Sequence, residues 1–221
     1  MNLYIVTGYP RSGTSLTGAI LDTLGIPMGY WCQPGDEFNP LGYFEDGPFM
    51  GTISGTIAQT GLRPLTDAEF PEDARSHLRS TLMQYRERGV DFGFKNNHVA
   101  YAADTLLTVL PADMQPHLIV CKRTKEHSLA SQRKRLTALE QEIPPTQHDD
   151  YDRLYAAIGM LSYKVQDRGG QVLYVQYERT LDYPEHTVGQ IAQFVRCEDQ
   201  GRIRKAAGLV NPIHDHSREV R

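Results

Sequence analysis

The chain of 221 residues is poor in cysteine. Cys32, Cys121 and Cys197 are odd in number, widely spaced and never part of a C-x-x-C pair. This pattern argues against a disulfide framework and a zinc site, and reads as reduced thiols in a cytoplasmic protein. Long hydrophobic runs are missing too: none approaches the roughly 20 residues that span a bilayer. The first residues lack the basic, apolar and small-residue sequence of a signal peptide. There is no excess of positive charge either. The formal net charge is -4 and the pI is near 6.1, whereas a general nucleic-acid binder is usually basic. Internal repeats and low-complexity segments are absent. What remains is a chain with 40% hydrophobic residues, long enough for one domain with a sizeable core.

Leu3 to Gly8 is a short apolar run suited to a buried parallel strand. Leu16, Ala19, Ile20 and Leu24 then recur at helical spacing, with Gly25 as the stop. Residues 26–66 read as loop, apart from a short helix over Phe49 to Ala58. Ala74, Leu78, Leu82 and Tyr85 mark a surface helix that stops at Gly89. Further strands are expected at Asp91 to Lys95, His117 to Cys121 and Gln171 to Tyr177. Between the last two lie two helices. Leu129, Leu136, Leu139 and Ile143 form the stripe of one, ended by Pro144-Pro145; Tyr151, Leu154, Ile158, Leu161 and Val165 form that of the other, ended by Gly169-Gly170. Pro184 opens a last helix bearing Val188, Ile191, Ala192 and Val195. Strands alternating with helices predict an α/β fold: a mostly parallel central sheet with helices on both faces.

Gly8 to Ser15 has the spacing G-x-x-x-x-G-T-S between the first strand and its helix. The glycines let successive N–H groups curl inward, and the helix N-terminus adds its dipole, which makes an anion site. A nucleoside-triphosphate loop carries Lys where this chain has Thr14. Here the cation is Arg11, inside the loop, where a planar fork can grip a phosphate or sulfonate. The strand at 117–121 continues into Lys122-Arg123 and offers no Asp to organise Mg²⁺.

Pro10-Arg11-Ser12-Gly13-Thr14-Ser15 resembles the 5′-phosphosulfate loop of sulfotransferases that use 3′-phosphoadenosine 5′-phosphosulfate (PAPS). That family follows a later strand with Arg and, eight residues on, Ser, as Arg123 and Ser131 stand here; Ser128 shares the helical face of Ser131. Tyr177-Glu178 and Asn39-Pro40-Leu41-Gly42-Tyr43-Phe44-Glu45 are similar to further family segments. The resemblance implies a P-loop nucleotide-hydrolase-like architecture and a single domain over 1–221, with a loop-rich acceptor-side insertion at about 26–90. It also implies transfer of a sulfuryl group from PAPS to an acceptor hydroxyl or amine, with no metal required. Pro10, Arg11, Ser12, Gly13, Thr14 and Ser15 would hold the 5′ side, Arg123 and Ser131 the 3′-phosphate, and Tyr177 would also line the nucleotide. A small-molecule or glycan-like acceptor is expected.

Sulfuryl transfer needs an in-line donor and acceptor, a cation for developing charge, and a base for an acceptor hydroxyl. Arg11 and Lys95 are the candidate cations. Within the basic stretch from Lys122 to Arg135, most side chains read as a solvated helix face, and some as a means of drawing in the donor. The family uses either Glu or His as base. Glu45 ranks first. His98 comes next, lying one residue beyond the family's K-x-H spacing from Lys95, and Glu37 is third. Two alternatives stay open: a P-loop kinase, which would require the missing loop Lys and Mg²⁺, and a nucleotide-binding module without a working base.

Overall fold

The computed structural model describes residues 1–37, 39–141 and 147–210. Four parallel strands form its sheet in the order β2-β1-β3-β4. They are β1 (Asn2–Gly8), β2 (Phe92–Lys95), β3 (Gln115–Lys122) and β4 (Val172–Gln176). The expected Gln171 to Tyr177 strand is shorter than the sequence suggests. It ends at Gln176, and Tyr177 instead opens a helix. Between β1 and β2 lie α1 (Thr14–Leu24), α2 (Gly47–Phe49), α3 (Gly55–Gln59) and α4 (Glu72–Glu87). The short helix expected over Phe49 to Ala58 is thus a broken run, with a π-helical stretch, Met50–Ser54, joining α2 to α3. After β2 come α5 (Ala103–Val109), then α6 (Lys125–Ala138) and α7 (Gln147–Asp167) between β3 and β4. Finally α8 (Tyr177–Asp182), α9 (Pro184–Phe194) and α10 (Gln200–Ala207) close the described chain.

Alternation along the strands sorts the core into two layers. Leu3, Ile5, Phe92, Phe94, Leu118 and Val120 face one way, onto α2 to α5 and α7. Tyr4, Val6, Ile119, Cys121 and Val175 face the other way, onto α1, α9 and α10. Both faces are covered, which is why the central strands read as unbroken apolar runs.

Two sequence expectations need correction in α6. Its inward face carries Ser128, Leu129 and Ser131, while Leu139 lies beyond the helix end and is exposed. No continuous apolar stripe runs along it. Ile143 and Pro144-Pro145 lie outside the described residues.

Because all four strands are parallel, the segments after Gly8, Lys95, Lys122 and Gln176 emerge at one edge of the sheet. β1 lies between β2 and β3, so the chain leaves it one way and crosses back over it to continue. Ligand crevices in open α/β sheets form beside such a reversal, outside the strand carboxyl ends.

Candidate functional site

The segment after β1 turns sharply: Ser12 N–H donates to the Tyr9 carbonyl at 3.1 Å. Arg11 has a φ of 70° and Gly13 a φ of 89°. Positive φ is unusual for a residue with a Cβ, and strain of this kind, of order 1–3 kcal/mol, collects at ligand sites. At Gly13 a side chain is also sterically barred, because a Cβ would lie 2.4 Å from Cδ2 of Tyr177. Gly13 caps α1, whose first turn holds no acidic residue. The helix N-terminus therefore keeps its partial positive charge at the cleft.

Arg123 follows β3 and is 5% exposed. Its Nη1 donates to the Arg11 carbonyl at 3.0 Å, and its guanidinium lies 4.6 Å above the Tyr177 ring. Tyr151, from α7, donates its hydroxyl to the Arg123 carbonyl at 2.8 Å. Arg11 Nε in turn donates to Ser131 Oγ at 3.2 Å. Three segments distant in sequence, after β1, at the start of α6 and at the start of α8, are thereby cross-braced. Arg135 stands one turn beyond Ser131 on α6, where its Nη2 donates to the Tyr43 hydroxyl at 3.3 Å. Burial first, then the positive charges of Arg135 and Arg123, push Arg11 below the usual guanidinium range, partly offset by Tyr177.

A second cluster lies on the β2 side. Lys95 Nζ pairs with Glu45 Oε1 at 2.6 Å, with side chains 3% and 18% exposed, and reaches Ser15 Oγ at 3.5 Å. Burial pushes the Lys95 ammonium below its usual range, against the pull of Glu45. Glu45 is aimed by its neighbour. Asp46 is fully buried, accepts from the Tyr85 hydroxyl, and accepts the Trp31 N–H at 3.0 Å.

An open cleft of about 890 Å³, solvent included, joins the two clusters. Pro10, Arg11, Gly13, Thr14, Ser15, Glu45, Lys95, Arg123, Ser131 and Tyr177 line it. Ser12 does not line it; its hydroxyl is buried beneath the loop, without a hydrogen bond. Neither of the other two base candidates lines the cleft. His98 is tucked beside Tyr101, its Nδ1 buried and unbonded, and burial holds its imidazole below the usual range, with Glu45 pulling the other way. Asn97 occupies the cleft position beside it. Glu37 is exposed.

Sequence reasoning missed three lining groups: Arg135, Asn97, and the apolar side chains of Leu16, Leu181 and Leu209. The i, i+4 spacing from Ser131 could have singled out Arg135 from its basic neighbours.

The excess positive charge of this cleft lies on its β3 side, where Arg11, Arg123 and Arg135 gather. No helix among the described residues is long and apolar enough to cross a membrane.

No curated protein matches the chain. The solved sulfotransferase domain from the Synechococcus PCC 7002 olefin synthase is similar, with a TM-score of 0.59 at 16% identity, over 100% of this chain and 88% of that one. The sulfotransferase domain from the curacin biosynthetic pathway is also similar, with a TM-score of 0.52 at 14% identity, over 97% and 81%. These likenesses establish a shared α/β fold. The family profile described as "Sulfotransferase family" matches residues 4–200. With nearly the whole chain matched, the protein belongs to the sulfotransferase family.

Proposed function

We propose that the protein moves a sulfuryl group from PAPS to an acceptor hydroxyl or amine, releasing adenosine 3′,5′-bisphosphate (PAP). The observation that carries this reading is the position of Arg123. It touches the loop after β1 through the Arg11 carbonyl and faces Tyr177, while Ser131 is bonded to Arg11. A donor with phosphates at both the 5′ and 3′ positions of one ribose needs two anion sites side by side. The first turn of α1 with Arg11 supports the first; Arg123 and Ser131 support the second. Leu16, Leu181 and Leu209, which line the same cleft, offer apolar surface for an adenine.

PAPS supplies an activated S–O bond to its 5′-phosphate. Arg11 and the N–H groups of Gly13, Thr14 and Ser15 face the charge that grows on the phosphate as that bond breaks. Lys95 holds Glu45 in the cleft, and Glu45 takes the acceptor proton as the new S–O or S–N bond forms. No metal is needed in this reading, since guanidinium groups and α1 supply the positive charge. Residues 26–90, which contribute Glu45, form the acceptor side of a single domain.

The test is calorimetry with PAP and adenosine 5′-phosphosulfate, which lacks the 3′-phosphate. PAP binds equally well in EDTA. Arg123→Ala and Ser131→Ala each weaken PAP by about 1.5–3 kcal/mol for a charge-assisted bond, and adenosine 5′-phosphosulfate much less. Equal weakening of both ligands would move the 3′-phosphate elsewhere, and loss of binding in EDTA would end the metal-free reading.

A further inference from the structure

The two edges of the sheet differ. At β2 the edge is met by another segment, where Gly93 N–H donates to the Pro27 carbonyl at 2.8 Å. At β4 one side alone is paired, with β3. Leu118 N–H donates to the Gln171 carbonyl at 2.9 Å. Bonding alternates along a ladder, so Leu173 and Val175 also turn to β3. Val172, Tyr174 and Gln176 turn their backbone groups outward. The Gln176 carbonyl accepts from the Thr180 hydroxyl of α8 at 3.0 Å; among the described residues the rest of this row meets no other strand. Proteins usually blunt such an edge with charge, proline or a bulge. Val172 to Gln176 holds no charged residue and no proline, and its register with β3 is unbroken. Beside it stand Tyr174, 52% exposed, and Tyr163 of α7, 65% exposed. A groove of about 770 Å³, solvent included, is lined there by Lys122, Tyr155, Gly159 and Tyr174. A Cβ at Gly159 would meet nothing within 4 Å.

We infer that the β4 edge is an interface between two copies of this chain, paired antiparallel about Tyr174 into one continuous sheet. The strand is self-complementary about that residue. Tyr174 meets Tyr174 of the second copy and exchanges both backbone bonds with it, and Gln176 N–H reaches the Val172 carbonyl of the second copy. Paired residues share a face. The two tyrosine rings therefore meet on the α7 side, where Tyr174 donates its hydroxyl to Ser162 Oγ at 3.4 Å and Lys122 Nζ lies 4.4 Å from its ring centroid. On the opposite face Leu173 meets Val175, apolar against apolar. Charge is complementary as well. Lys122, level with Gln176 in register, and Glu178 mark one end of the edge; Asp167 and Arg168 mark the other. Antiparallel pairing brings unlike ends together, so each cation finds an acid across the axis. It also sets Tyr163 of one copy toward the open groove at Gly159 of the other. Such a two-fold contact uses the same patch on both copies and closes on itself. It points the two clefts to opposite ends of the joined sheet, so both stay open.

Sedimentation equilibrium of the full chain, over a wide concentration range and without nucleotide, is expected to give twice the 24.9 kDa of the chain. As the dimer forms, hydrogen exchange should slow at the amides of Tyr174 and Gln176, while those of Leu173 and Val175, bonded to β3, stay slow throughout. Tyr174→Lys should weaken association about tenfold, through a lost aromatic pair and like charges placed directly opposite each other. Tyr163→Lys should weaken it from a second point on the patch. Both side chains are exposed, so the circular dichroism spectrum and PAP affinity should match the parent, which separates lost pairing from lost folding. A single-chain mass at every concentration would overturn the interface. So would a dimer whose edge amides exchange as fast as in the monomer, or a Tyr174→Lys chain that associates as tightly as the parent.

Discussion

Replacing Glu45 with Gln removes a charge and leaves the shape almost unchanged, and two separable losses should follow. The first is stability. Lys95 is nearly fully buried, and Glu45 is its close ionic partner at 2.6 Å; without it, the ammonium keeps the 3.5 Å contact to Ser15. Leaving one member of a buried pair behind costs about 3–5 kcal/mol. Glu45 is partly reached by water and Lys95 can shed its proton, so the lower end, about 3 kcal/mol, applies. For a chain of this size that is a fall in Tm of about 6–12 °C. The deficit should shrink as pH rises. Burial already depresses Lys95, and losing Glu45 depresses it further, so the unfolded chain binds more protons between the folded value and the usual lysine range near 10.5. Stability rises with pH wherever the unfolded state binds more protons. The second loss is transfer, by about 10²–10⁴-fold for a missing base. Adding Lys95→Met separates the two losses, because an apolar replacement of a buried pair is often neutral or better. Urea denaturation from pH 7 to 10, beside single-turnover transfer from labelled PAPS, reads both. Stability should return in the double variant while transfer stays low. A double variant that regains transfer, or a Glu45→Gln protein as active and stable as the parent, would refute the assignment.

Arg11→Ala should slow single-turnover transfer by about 10²–10³-fold, as for loss of one oxyanion donor, with a smaller loss of PAP affinity because the N–H groups of α1 remain; abolished PAP binding would contradict this. Gly13→Ala combines a φ of 89° with a 2.4 Å collision against Tyr177. Strain of about 1–3 kcal/mol and overpacking of a further 1–3 kcal/mol should lower Tm by several degrees and weaken PAP together, and an unchanged melting curve would show the Tyr177 packing to be dispensable. His98→Asn should leave transfer near the parental rate, since the imidazole does not line the cleft. His98 is held below the usual imidazole value near 6.5 chiefly by burial, so the parent loses stability as pH falls from about 6.5 through the folded value, where the unfolded chain binds the extra proton. The variant's Tm should fall less over that range, and a collapse of its transfer rate would restore His98 as a base candidate.

The fold was legible because the strands are buried on both sides and read as short apolar runs such as Leu118 to Cys121, each followed by a glycine, a helix or both. That the segments after β1 and β3 share one cleft was legible for a related reason: Gly8 to Ser15 and Arg123 to Ser131 are local segments, each written at the end of one strand. What was hidden depends on distant residues. Lys95 and Glu45 were each singled out as candidates, but they stand 50 positions apart, and only the folded chain shows them paired at 2.6 Å. Arg135 was read among solvated charges, because a helix with serines on its buried face has no apolar stripe to show which side is inward. His98 and Asn97 differ by one step after a strand, and a one-step shift decides which side chain enters the cleft. α10 carries the short pattern Gln200–Ala207, with Ala206 its one fully buried residue, too faint a stripe to recognise without its neighbours.

The two ends of the cleft follow opposite electrostatic logic, and this bears on how the protein works. On the β2 side, Lys95 and Glu45 neutralise each other within the protein. On the β3 side, like charges gather: Arg123 and Arg135 both depress Arg11, and all three line one cleft beside the positive end of α1. Bringing guanidinium groups together inside partly buried space is unfavourable by itself, and the positive φ of Arg11 adds strain. An anion seated among them would attract each guanidinium and offset their mutual repulsion. In the proposed reading, this charge asymmetry suits one end to a polyanionic donor and leaves the other, where Lys95 is already paired with Glu45, to an uncharged hydroxyl.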